Sequence, residues 1–274
     1  MKKILGAIAA LAMTVGLAAC GTPVSQGTAN QNQLVVGMEA GYPPFNWTQK
    51  DDSNGAVKIQ GTDQYAGGYD VEIAKRVAKQ LGKELVIVKT EWDGLTPALV
   101  SGKIDAIIAG MSPTEERKAT IDFTDSYYDS QLVLVVKKGS KYANATSLAD
   151  FAGAKVTAQL NTFHYSVIDQ IPGVDKQAAM DNFPAMRVAL QAGTIDAYVS
   201  ELPEAQSAQS ANSDFVMVKL TDGFKASPED TQTAVGVKKD SPLTKQINEA
   251  LKTISSEERL QIMQEAIKNQ PAAE

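Results

Sequence analysis

The stretch Ala98-Leu99-Val100-Ser101-Gly102-Lys103-Ile104-Asp105-Ala106-Ile107-Ile108 decides how this chain reads, because it returns as Ala189-Leu190-Gln191-Ala192-Gly193-Thr194-Ile195-Asp196-Ala197-Tyr198-Val199. Both copies run helix, glycine stop, then an apolar strand opened by Ile-Asp-Ala. A glycine just past the last periodic residue is a helix-ending signal. Two copies imply two lobes of similar architecture, with a cleft between them as the natural ligand site. In open α/β sheets, ligands sit beyond the carboxyl ends of the strands.

The same alternation extends outward. Leu34 to Met38 has a buried-strand pattern, and the polar stretch 46–67 reads as a loop or hairpin, with Trp47 a loop residue. The spacing of Val71, Ile73, Ala74, Val77, Ala78 and Leu81 predicts an amphipathic helix over 70–81 that stops at Gly82. Leu85 to Val88 and Ile104 to Ala109 read as strands, Leu95 to Ser101 and Thr114 to Ala119 as helices, and Leu132 to Val136 as an extended run. In the second series, strands are predicted at 155–158, 195–199, 216–220 and 233–237. Helices are predicted at 147–151, 163–169, 183–191, from 201, at 243–254 and at 257–268. Short strands separated by helices point to an α/β fold built on parallel sheets.

Composition narrows the function. The 274 residues carry a net charge of −6, one cysteine and one histidine. Nucleic-acid binders usually carry the opposite charge. A lone His164 argues against a multi-histidine metal site, and a single cysteine against a disulfide framework. That cysteine, Cys20, follows Lys2, Lys3, an apolar run from Ile4 to Ala18, and the residues Leu17-Ala18-Ala19. Basic start, short apolar segment and small residues describe a secretory signal. The run falls short of the roughly 20 residues needed to span a bilayer. Leu-Ala-Ala-Cys resembles the lipobox of bacterial lipoproteins, which implies that residues 1–19 are removed and Cys20 is acylated. Residues 20–33 are small and polar, as in a flexible tether.

Several motifs now fit one family. Gly41-Tyr42-Pro43-Pro44-Phe45, Gly68-Tyr69-Asp70-Val71-Glu72-Ile73-Ala74, Trp92-Asp93-Gly94-Leu95-Thr96-Pro97-Ala98-Leu99, Gly110-Met111-Ser112-Pro113-Thr114-Glu115-Glu116-Arg117 and Asp122-Phe123-Thr124 come in the order found in family 3 solute-binding proteins of polar amino-acid ABC importers. The chain resembles that family from about Leu34 to Gln264. The resemblance implies a two-lobe α/β fold of the periplasmic-binding-protein type with two hinge strands. Lobe 1 would be 34–130 plus 226–270 and lobe 2 would be 131–225, with crossings near 128–130 and 223–230. It implies an amino-acid ligand, a permease and an ATPase as partners, a monomer lipid-anchored to the outer face of a membrane, and no cofactor, metal or nucleic acid.

The site residues follow from the same resemblance. Arg117 matches the carboxylate-binding arginine, and a guanidinium fork can grip a carboxylate bidentately. Gly110, Met111 and Ser112 lie on the loop before it, whose backbone N–H groups favour an anion. Glu201 matches the acid that receives the ligand ammonium, and Thr162 a residue that donates to the carboxylate; both also suit plain helix starts. Tyr42 and Trp92 match the aromatic pair that sandwiches the ligand side chain. Glu39 stands where members for cationic amino acids carry an acid. A carboxylate facing a buried cleft is costly without a cation, so arginine, lysine, ornithine or histidine is the favoured ligand, with glutamine or another polar amino acid as the alternative. Three positions depart from the common pattern: Gly110 replaces a hydroxyl side chain, Pro113 an aliphatic one, and Phe163-His164 a small residue followed by Gln. His164 would then touch the ligand side chain. More distant readings are a dehydratase on the same fold, which is an enzyme, and a surface adhesin.

Overall fold

The apolar strand at the start of the folded region sets the frame. The computed structural model describes residues 32–271, so Cys20, the signal segment and most of the tether lie outside the described residues. Along the chain come β1 (Gln33–Met38), β2 (Gly41–Tyr42), β3 (Asn46–Gln49), β4 (Val57–Lys58), β5 (Tyr65–Gly67), α1 (Tyr69–Gln80), β6 (Glu84–Lys89), α2 (Leu95–Ser101), β7 (Ala106–Ile107), α3 (Glu115–Lys118) and β8 (Asp122–Asp129). The second series is β9 (Leu132–Lys137), β10 (Lys155–Thr157), α4 (Phe163–Val167), β11 (Asp175–Lys176), α5 (Phe183–Ala192), β12 (Ala197–Glu201), α6 (Leu202–Ala211) and β13 (Phe215–Val218). The chain closes with α7 (Pro228–Thr231), β14 (Gln232–Val237), α8 (Leu243–Lys252) and α9 (Ser256–Asn269).

Two five-stranded sheets repeat one plan. The first has the order β6-β1-β7-β14-β8 and the second β11-β10-β12-β9-β13. In each, the first three strands are parallel and the fourth runs against its neighbours. The sheets are therefore mixed, where the sequence pattern suggested parallel ones. The reason is connectivity. Strand β9 enters the second sheet directly from β8 of the first, and β14 returns to the first sheet after β13 of the second. A strand arriving from the other lobe enters from the opposite end and lies antiparallel.

The repeated stretch supplies the third strand of each sheet and the helix before it. Gly102 and Gly193 end α2 and α5 at φ 80° and 75°, the left-handed region that glycine enters without strain. Lys103 N–H then donates to Ala98 O (2.9 Å) and Thr194 N–H to Ala189 O (3.1 Å), closing matching turns. The aspartates play matching parts. Asp105 Oδ2 accepts from Val35 N–H (2.9 Å), and Asp196 Oδ2 accepts from Lys155 N–H (2.8 Å). Each thus pins the start of the neighbouring parallel strand.

Cores form where alternation allows. Val133 and Val135 of β9 join a cluster continuous with the first sheet, while Leu134 and Val136 join a second cluster with Phe151, Val156, Ile168 and Val199. Strand β8 escapes sequence reading because register shifts against β14 break its period of two, leaving Thr124 and Tyr127 buried. Trp47 is no loop residue. It lies in β3 of a small sheet (β2-β3-β5-β4) and is buried. Among the described residues no helix is long and apolar enough to cross a membrane.

The paired aspartates make a test. Asp105→Ala leaves the Val35 amide without its side-chain acceptor and should destabilise the protein by roughly 1–2 kcal/mol in urea unfolding, with Asp196→Ala costing a similar amount. A change below the error of the measurement at both positions would remove this role.

Candidate ligand-binding site

The loop after β7 carries the first pole of the site. Gly110 sits at φ 62°, and a Cβ there would lie 2.6 Å from Tyr42 Cε1, so no side chain fits. Met111 O accepts from Ala234 N–H (3.0 Å), and Ser112 Oγ donates to Asp230 O (2.9 Å). Thr114 caps α3 by accepting from the Arg117 amide (3.4 Å). The Arg117 guanidinium donates from Nη1 to Ser112 O (2.9 Å) and from Nη2 to Asn161 O (3.1 Å), with Cζ 5.0 Å from the Trp92 ring centre. Burial lowers its pKa to about 10, and the nearby carboxylates Glu116 and Asp230 oppose the shift. The group stays cationic at neutral pH.

Arg117, Trp92, Met111, Thr114, Asn161 and Thr162 line one cavity of about 650 Å³ between the two sheets. Asn161 is its chief bridge. Besides Arg117, its carbonyl receives Trp92 Nε1 at 3.5 Å, and its side chain donates to Asp93 Oδ1 at 2.8 Å. Thr162 begins α4 without capping it; its hydroxyl donates to Gln159 O (2.7 Å).

Glu39, at the end of β1, marks an acidic pole. It is 7% exposed, and Gln159 Nε2 donates to its Oε2 at 3.0 Å. Burial pushes its carboxyl up to about 7; the Gln159 hydrogen bond and Lys89 oppose this, while Glu91 and Asp93 add to it. Among the described residues no lysine or arginine forms an ion pair with Glu39. It lines a cavity of about 440 Å³ with Trp47, Lys89, Glu91, Asn182 and Arg187. A third, of about 350 Å³, shares Trp92 and Asp93 with the first and Glu91 and Asn182 with the second, so all three follow one seam.

Beneath the seam lies an aromatic and polar cluster. Tyr42 is enclosed by Phe45 (centroids 4.8 Å apart) and Phe183 (4.5 Å, nearly parallel at 8°). Phe183 also meets Tyr198 and His164 edge-on. His164 Nε2 lies 3.2 Å from Glu201 Oε1, and both side chains are buried. Tyr42 Oη, His164 Nδ1 and Glu201 Oε2 are buried and make no hydrogen bond of ordinary geometry, with Glu201 the nearest acceptor for the Tyr42 hydroxyl. Buried polar atoms are nearly always paired; the Tyr42 hydroxyl and Glu201 lie close enough to interact, which leaves His164 Nδ1 as the atom of this cluster with no polar partner among the described residues. The Tyr42 phenol is pushed far up, first by burial and then by Glu201, Glu204 and Asp70.

The structure thus gathers Trp92, Met111, Arg117 and Thr162 around one cavity and sets Glu39 on the neighbouring one. Tyr42, Gly110, Ser112, His164 and Glu201 form the buried floor and line neither of these two cavities. Tyr42 stacks on Phe183, and Trp92 meets Arg117. Sequence reasoning missed Gln159, Asn161 and Phe183. Asn161 and Phe183 flank recognised helix starts, but the Glu39–Gln159 contact joins residues from different sheets and leaves no local trace.

Two mixed sheets joined by two crossings, with a charged and aromatic seam between them, define a two-lobe solute-binding protein. The chain belongs to the bacterial extracellular solute-binding proteins, family 3, whose model matches residues 34–268. It is 30% identical over 263 residues to the arginine-binding extracellular protein ArtP of Bacillus subtilis, covering 95% of this chain and 96% of that protein. It is 31% identical to the glutamine-binding protein GlnH of the same organism, covering 99% and 100%. Among solved structures, the amino-acid ABC transporter substrate-binding protein AbpA of Streptococcus pneumoniae, bound to L-arginine, superposes with a TM-score of 0.74 at 27% identity, covering 87% of this chain and 95% of that one.

Glu39 gives a signed test. Its folded pKa of about 7 exceeds the ordinary 4.5, so the native state holds the proton more tightly than the unfolded state. Stability of the ligand-free protein therefore falls as pH rises through that window. Glu39→Gln should raise stability at pH 8 by about 2 kcal/mol more than at pH 5. Asp70, pushed up to about 6 by burial, acts with the same sign in both proteins and cancels from the comparison. Urea unfolding at the two pH values reads the difference; parallel curves would refute it.

Proposed function

We propose that this protein is the substrate-binding component of an ABC importer for a basic amino acid, held at the outer face of a membrane by lipid on Cys20. The observation that carries the ligand class is Glu39: a buried carboxylate, raised to about 7, with no ion-pairing cation among the described residues and at the far end of a seam from Arg117. A buried acid of this kind is relieved by a cation, and arginine, lysine, ornithine or histidine brings one. The ligand carboxylate takes the place of Asn161 O on the Arg117 fork, supported by Ser112, Thr162 and the amide of Met111, on the loop that Gly110 opens. The ammonium pairs with Glu201, at the floor beneath the cavity, beside the Tyr42 hydroxyl. Trp92 flanks the side chain from the cavity wall, and Tyr42 and His164 border it from the floor beneath.

Lobe 1, taken as 34–130 plus 226–270, supplies Arg117, and lobe 2, taken as 131–225, supplies Glu201 and Thr162. Both sets of contacts form only on closure, so ligand favours the closed state. The closed monomer then meets its permease, driven by an ATPase. The role is capture without catalysis. Glutamine is the second reading: a Glu39 that is partly protonated near pH 7 can donate to a carboxamide instead of pairing with a cation.

Calorimetry of residues 21–274, stripped of carried-over ligand, against the twenty amino acids and ornithine decides between them. Tight binding confined to basic amino acids supports the proposal; preference for glutamine retires the Glu39 argument and keeps the importer. Turnover of prephenate or arogenate instead would make it an enzyme. Arg117→Ala should abolish measurable binding, and unchanged affinity would take Arg117 out of the site. Glu39→Gln should weaken basic ligands about tenfold or more while leaving glutamine nearly unchanged, a loss of roughly 1.4 kcal/mol or above. Equal losses for both would end its selective role.

A further inference from the structure

Asp70 belongs to the motif Gly68-Tyr69-Asp70-Val71-Glu72-Ile73-Ala74, yet it lines none of the three seam cavities. It is the second residue of α1 and wholly buried. Both of its oxygens are taken. Asn46 Nδ2 donates to Oδ2 at 2.7 Å, and the Tyr127 hydroxyl donates to Oδ1 at 2.7 Å. Asn46 and Tyr127 are wholly buried too, so no water can substitute. The Tyr127 oxygen in turn accepts from Gly110 N–H at 3.0 Å, and the Asp70 carboxylate lies within reach of the same N–H. The direction is fixed: a carboxylate only accepts, so the phenol proton points to Asp70 and the phenol lone pairs face Gly110. Tyr127 is itself anchored, because Tyr69 Oη donates to its backbone carbonyl at 2.8 Å.

Gly110 opens the loop on which Arg117 depends. Two residues on, Ser112 O holds Arg117 Nη1, and that contact sets the direction of the guanidinium. The loop is pinned further along at Met111 and Ser112 by the chain around β14. At its start, the Gly110 amide is pinned by Tyr127, with Tyr42 packed against its Cα. We propose that Asp70 and Tyr127 are positioning residues for ligand capture, a buried relay that fixes the Gly110 amide and thereby aims Arg117 at the ligand carboxylate. This rests on the proposed function, since it needs a carboxylate ligand.

The test compares arginine with argininamide, which lacks the carboxylate. Tyr127→Phe removes one oxygen and keeps the ring. It should weaken arginine at least tenfold and argininamide less than threefold, and it should speed hydrogen exchange at the Gly110 amide in the ligand-free protein. A general loss of stability lowers both ligands alike, so equal losses, or no loss, overturn the relay. Asp70→Asn, of equal size, should show the same carboxylate-dependent pattern, and its ratio decides if Tyr127→Phe fails to fold. Wild-type protein that binds no amino acid overturns the proposed function. In that case unchanged Gly110 exchange in Tyr127→Phe overturns the relay as well, and faster exchange keeps the pinning of the loop while ending its role in capture.

Discussion

Everything here depends on a constraint of connectivity: each sheet receives its fourth strand from the other lobe. Strands β9 and β14 lie beside β12 and β7, the strands that the repeated stretch supplies. Two covalent crossings tie the lobes, so they can turn about those connections but cannot part. A seam between bodies joined in this way is a place where contacts can be made and broken at small cost to either core. Polar groups that would be unaffordable inside a lobe can sit there.

The polar groups in the seam show this in their electrostatics. Within lobe 2, buried Glu204 is fully served, by Arg187 at 2.8 Å, Tyr198 and Ser200. In the seam, Gln159 is the one hydrogen-bond partner of the Glu39 carboxylate among the described residues, it is neutral, and burial raises the carboxyl to about 7 despite the nearby Lys89. Arg117 has two carbonyls and no ion-pairing carboxylate among the described residues. Neutral partners satisfy hydrogen bonds without cancelling charge. They therefore leave a cation-seeking pole and an anion-seeking pole, and that difference separates a recognition site from a structural ion pair.

Much of the fold is legible in the sequence because its signals are local. The apolar spacing of α1, the stop at Gly102 and the repeat at Gly193 involve neighbours within one or two turns. The residue types of the site are legible through motif order, although motif order does not say which of them share a wall. What stays hidden is non-local. Strand β8 hides its period in a bulge, and the antiparallel pairing of β9 is set by a crossing. Phe183 covers Tyr42 from the other side of the seam, a contact that motif order does not suggest. Asp70 reads as a helix-start carboxylate, and only the packing shows it serving a phenol from β8.

The two sides of the seam are supported differently. The lobe-1 loop is fastened at Gly110 by Tyr127, at Met111 by Ala234 and at Ser112 by Asp230, three points within three residues. From lobe 2, Asn161 reaches across to Arg117, Trp92 and Asp93 and Gln159 to Glu39, all from short loops, and Asn161 holds a left-handed φ of 55°. Under the function proposed above, a fastened wall facing one held by exchangeable hydrogen bonds gives an order of events. The carboxylate pole is preorganised, so its contacts cost little ordering when a ligand arrives. The second wall pairs with the first while no ligand is held and exchanges those hydrogen bonds for ligand contacts when one is. On that proposal closure would stabilise the bound state by the difference between the two sets, and charge would make that difference large: Arg117 would exchange a carbonyl for a carboxylate, and Glu39 an amide for a cation.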